Sequence, residues 1–68
     1  MKHNKKYNRI KIILAEKERT SKWLSDKLMK DKSTVSRWCT NDMQPSLETL
    51  YLIAKTLEVS PKELLYDE

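Results

Sequence analysis

Apolar residues in this chain recur three or four positions apart and nowhere alternate with polar ones over a useful length. Helices satisfy that spacing and strands do not, because positions i, i+3 and i+4 share one helix face while successive strand side chains point to opposite faces. The predicted fold is therefore all-α, without a sheet. Ile10, Ile13 and Leu14, with the aliphatic stem of Lys17, form one stripe and predict a first helix over residues 8–18, capped by Asn8. Leu24 and Leu28 define the buried side of a second, short helix after Thr20, an N-cap residue type. Asp31 caps a third that runs to Cys39. After a loop at residues 41–44, Pro45 and Ser46 open a fourth helix whose stripe is Leu47, Leu50, Tyr51, Ala54 and Leu57, with Leu52 off it. Ser60-Pro61-Lys62-Glu63 joins a capping-box pattern to a proline at the first helical position. It predicts a short fifth helix that returns Leu64 and Leu65 to the core.

A chain of 68 residues supports one small core, so a single domain is expected over residues 8–66, preceded by a polar, basic arm at residues 1–7 that contains His3. With 38% apolar and 35% charged residues the chain is too apolar for a disordered tail and too polar for a membrane protein. No apolar run approaches the roughly 20 residues that span a bilayer, and none makes a signal peptide. A cytoplasmic protein is expected. One cysteine and one histidine exclude a disulfide framework and a zinc site. There is no carboxylate pair, no nucleophile beside a base and no glycine to cradle a phosphate, so an enzyme is not expected, and no cofactor either. Cys39 reads as a small structural residue, since nothing near it in sequence would activate a thiol.

Charge is distributed unevenly. Residues 1–37 hold twelve Lys/Arg against four Asp/Glu, a net +8, whereas residues 38–68 hold two against six, a net −4. A basic half on so small a molecule points to a polyanion, and nucleic acid fits better than a membrane surface because the basic residues are interleaved with core-forming apolar ones. The third helix sharpens this. Its polar face carries Lys32, Ser33, Ser36 and Arg37, and its opposite face carries Thr34, Val35 and Trp38, with Trp38 directed to the core. A single helix enters the DNA major groove and reads base edges from one face. Arg37 is suited to guanine, whose O6 and N7 accept both arms of a guanidinium; Lys32 suits either a base or a phosphate.

Three blocks carry a resemblance to a known family: Thr20-Ser21-Lys22-Trp23-Leu24-Ser25, Ser33-Thr34-Val35-Ser36-Arg37-Trp38, and Gln44-Pro45-Ser46-Leu47-Glu48-Thr49-Leu50 followed by Ile53-Ala54-Lys55-Thr56-Leu57-Glu58-Val59. In order and spacing they resemble the Cro/repressor-type, or XRE, helix-turn-helix proteins over residues 8–65. The resemblance implies a compact five-helix, lambda-repressor-like DNA-binding domain with the helix-turn-helix at its second and third helices. It implies double-stranded DNA as partner, base reading by Lys32, Ser33, Ser36 and Arg37, and backbone contacts from Ser21, Lys22, Thr40, Asn41 and Gln44. Met29 stands at the family's turn glycine, where a left-handed backbone would cost a non-glycine residue about 1 kcal/mol. Asn41 replaces a second glycine and tolerates that conformation better. Cys39 stands where a glutamate is common.

Two functional classes follow. The first is a sequence-specific transcriptional regulator, most naturally a repressor, acting as a homodimer on a palindromic site through a patch containing Leu52, Leu64, Leu65 and Tyr66. The alternative is a protein-interaction module, such as an antitoxin or adaptor, that holds a protein partner through its acidic C-terminal half.

Overall fold

The computed structural model describes residues 6–66. Four α-helices follow one another: α1 (Ile10–Glu16), α2 (Ser21–Leu28), α3 (Lys32–Cys39) and α4 (Leu47–Leu57), and a 3-10 turn at Pro61–Leu64 closes the chain. The arm expected at residues 1–7 lies outside the described residues up to residue 5. Its last member, Tyr7, is tied to the domain by its N–H, which donates to Asn41 Oδ1 at 3.0 Å, and by its C=O, which accepts from Tyr66 N.

The N-cap signals act as their chemistry dictates. Thr20 Oγ1 accepts from Trp23 N at 3.0 Å, Asp31 from Ser33 N at 3.1 Å and Ser46 Oγ from Thr49 N at 3.1 Å, each satisfying a first-turn N–H that has no intrahelical partner. The C-termini show what spacing could not. Every α-helix ends in the same motif, with bonds from Arg19 N to Leu14 O, Lys30 N to Ser25 O, Asp42 N to Arg37 O and Val59 N to Ala54 O, all between 2.8 and 3.0 Å. These are the six-to-one bonds of a Schellman termination, which needs one residue with positive φ. Glu18, Met29, Asn41 and Glu58 supply it at φ 56–64° in a chain without a glycine.

Three expectations about elements are corrected. The first helix starts at Ile10 rather than Asn8, because Asn8 is drawn into an antiparallel bridge with Leu65, and it ends at Glu16. Asn8 Oδ1 still accepts from Ile10 N at 3.0 Å. Lys17, expected to lend its stem to the apolar stripe, is exposed beyond the helix end. The fifth helix is only the 3-10 turn. Leu65 is already extended, since the chain leaves the turn to pair with the N-terminal segment through Arg9 N to Leu64 O at 2.7 Å and Tyr66 N to Tyr7 O at 3.0 Å. The expected capping box is present at Ser60 and Glu63, with Ser60 N donating to Glu63 Oε2 at 3.3 Å.

One core gathers Ile10, Ile13, Leu14, Leu24, Leu28, Val35, Trp38, Leu50, Ile53, Ala54, Leu57 and Leu64, with Trp23, Cys39 and Val59 packed at its edge. The stripe on α4 is rotated from the expected one: Ile53 is fully buried, whereas Leu47 and Tyr51 are 69% and 57% exposed. No helix among the described residues is long and apolar enough to cross a membrane.

Candidate nucleic-acid interface

The α2–turn–α3 unit is built from opposite demands on its two sides. Leu24, Ser25 and Leu28 of α2 and Val35 and Trp38 of α3 face inward, and Ser25 is accommodated by donating to Lys22 O at 2.9 Å. That leaves Lys32, Ser33, Ser36 and Arg37 all exposed on α3, the arrangement the helical spacing predicts. Between the helices, Met29 takes φ 56°, ψ 42° with its side chain 90% exposed, so the turn keeps the left-handed geometry that favours glycine without the residue.

Ser33 is not a free hydroxyl. Asp31 accepts from both its N–H and its Oγ–H, and these bonds, the side-chain one first, hold the Asp31 carboxyl below the usual carboxylate range. A depressed folded-state pKa contributes stability above the ordinary carboxylate pKa of about 4, and that contribution is lost as pH falls through the folded-state value. Asp31→Asn keeps a capping oxygen but removes the titration. The acid limb of its stability curve should be flatter than the wild type's in denaturant titrations at successive pH values below about 4; identical curves would show that Asp31 does not contribute.

The residues expected on the DNA backbone divide into two groups. Ser21, Lys22 and Thr40 are exposed, although Lys22 Nζ lies 3.3 Å from the Asp26 carboxylate and the Thr40 hydroxyl sits 2.9 Å from that of Asp42. Ser21, Ser36 and Thr40 line one cleft. Asn41 and Gln44 are placed differently. Asn41 is buried, its Oδ1 accepting from Tyr7 N, Asn8 N and Gln44 Nε2 and its Nδ2 donating to Asn8 O, each at 3.0–3.1 Å. Gln44 Oε1 accepts from Asn8 Nδ2, which also donates to Trp38 O at 2.9 Å. Their amides therefore hold the loop after α3 in shape, Asn41 from the interior and Gln44 from an exposed position. Asn8, read from sequence only as a cap, is the third member of this clamp.

Leu64 of the expected dimer patch is fully buried in its own core and is removed from it; Leu52, Leu65 and Tyr66 are 46%, 42% and 40% exposed. Trp23 is half-buried, with the Arg19 guanidinium 4.8 Å and the Lys27 ammonium 5.8 Å from its ring centroid, a cation–π arrangement that keeps both cations near α2. Burial pushes the Cys39 thiol up, with Lys11 opposing, so the protonated form is favoured.

With this geometry in place, comparison with known proteins is decisive. The helix-turn-helix family model matches residues 10–64. The chain belongs to the XRE-type helix-turn-helix family. A solved crystal structure from Bacteroides fragilis, described as that of a candidate DNA-binding protein, is 48% identical, covers 88% of this chain and 97% of its own, and superposes with a TM-score of 0.87. No curated protein matches the chain. The helix-turn-helix assignment accounts for the α2–turn–α3 unit and supports a DNA-binding regulator.

Proposed function

We propose that this protein is a sequence-specific transcriptional regulator, acting as a repressor, that inserts α3 into the major groove of double-stranded DNA. The observation that carries this reading is the shared outward aim of Lys32, Ser33, Ser36 and Arg37 on a helix whose other side is anchored by Val35 and Trp38. The roles divide by chemistry. Arg37 donates two hydrogen bonds to guanine, and Lys32 donates to a base or a phosphate near the helix start. Ser33, its proton engaged by Asp31, offers lone pairs suited to the N4 amine of cytosine or the N6 amine of adenine. Ser21, Lys22 and Thr40 meet phosphates, while Asn41 and Gln44 fix the loop beside them. A homodimer on a palindromic site uses Leu52, Leu65 and Tyr66, and places two recognition helices about 34 Å apart.

Selection of bound duplexes from a random pool at physiological salt tests both parts: a palindromic consensus is expected, and an unstructured pool would refute sequence reading. Arg37→Ala is expected to weaken binding to the selected duplex roughly 10- to 100-fold, to accept any base at one position of each half-site, and to leave thermal stability near wild type. Unchanged preference at every position would remove Arg37 from the readout.

The alternative role, holding a protein partner, is favoured by a different observation: α4 leaves Leu47, Tyr51 and Leu52 exposed on the acidic half of the molecule. Copurification of a stoichiometric partner, with no duplex retained at moderate salt, would establish that role in place of DNA binding.

A further inference from the structure

Two clefts flank the C-terminal end of α3. The first, about 330 Å³, is lined by Ser21, Ser36 and Thr40 together with Lys11 and Arg19; the second, about 290 Å³, is lined by Thr40, Lys6, Arg9 and, again, Lys11. No carboxylate lines either, whereas the clefts at Lys17–Trp23–Lys27 and at Arg9–Lys62–Tyr66 contain Glu58 and Glu63. Among the described residues the single ion pair is Lys22–Asp26, so neither Lys11 nor Arg19 is neutralised by one. Arg19 is drawn over the Trp23 ring, and Arg9 donates to Glu63 O at 3.1 Å. Lys6 and Lys11 remain, and of these Lys11, exposed, is the one that reaches both clefts and so stands beside Ser36. A cleft of one charge sign with apolar walls, here Leu14, Ala15 and Cys39, focuses its field outward.

We infer that Lys11 on α1 binds a phosphate of the DNA strand that leaves the major groove past Thr40, extending the contact surface from the helix-turn-helix onto the first helix. This rests on the DNA-binding reading above. The anion is a backbone phosphate, because the cleft adjoins Ser36 on the base-reading face and a strand bordering that groove passes there. A phosphate contact carries no base information, so the consequence is affinity and salt dependence with no change of sequence preference.

The test is a salt titration of binding to the selected duplex and to a mixed-sequence duplex. Lys11→Gln is expected to lower the slope of log K against log salt by about 0.9, the loss of one phosphate contact, and to weaken both duplexes by the same factor. Lys62→Gln, in the cleft that also holds Glu63, keeps the wild-type slope. Matching melting temperatures show that the fold is intact, which the exposure of Lys11 leads one to expect. A wild-type slope for Lys11→Gln while Arg37→Ala weakens the selected duplex overturns this inference and leaves DNA binding standing. Failure of the wild type to retain either duplex at low salt overturns both.

Discussion

Asn41→Ala should lower the unfolding free energy by about 3 kcal/mol or more, a large part of what so small a domain possesses. The side chain accepts from three donors and donates to one acceptor, and two of those four partners are the N–H and C=O of Asn8, a residue that is 2% exposed. Truncation leaves buried backbone groups without partners, each costing about 1–3 kcal/mol, because no water replaces the lost amide at once. Alanine also meets φ 64° at this position, which adds about 1 kcal/mol. The two contributions separate experimentally. Asn41→Gly relieves the backbone but loses the same hydrogen bonds, so it should fall between alanine and wild type, about 1 kcal/mol above alanine. Urea unfolding of the three proteins measures this order. If Asn41→Ala unfolded within about 0.5 kcal/mol of wild type, the clamp would be a surface ornament and not a structural joint.

The converse experiment should stabilise the protein. Glu18, Met29 and Glu58 hold positive φ at the ends of three separate helices, all with exposed side chains. A glycine at each removes a left-handed penalty of roughly 1–2 kcal/mol and returns part of it to the entropy of the unfolded chain. The two glutamates also place negative charge at helix C-termini, where the macrodipole disfavours it. The triple variant Glu18→Gly, Met29→Gly, Glu58→Gly is expected to gain about 2 kcal/mol, close to the sum of the singles because the sites share no partner. That corresponds to a melting temperature higher by roughly 8–16 °C. Lys55→Gly, inside α4 where glycine is unfavourable, should lose about 1 kcal/mol and serves as the opposite control. A triple variant no more stable than wild type would mean that these three Schellman terminations carry no strain.

These two experiments mark where sequence reading stops. The outward face of α3 was legible because four side chains within six residues are placed by the helical period alone, and their burial partners Val35 and Trp38 lie in the same turn pattern. The roles of Asn41 and Gln44 were not. Family position assigned them to the DNA, yet their amides are occupied by Asn8, more than thirty positions earlier, and no local pattern announces a bond across that separation. Lys11 is not legible for a related reason: on α1 it is one cation among many, and only the packing of α1 beside α3 brings it to Thr40.

By itself, the sequence determined four helices, three of their N-caps and the polar face of α3, because each depends on interactions within one or two turns. The tertiary structure alone decided the rest. Leu47 and Leu65 are exposed, the last segment becomes a 3-10 turn, and Glu18 and Glu58 adopt left-handed backbones. Those outcomes depend on how helices with similar stripes share one small core and on where the chain must turn to reach it, which no single segment encodes.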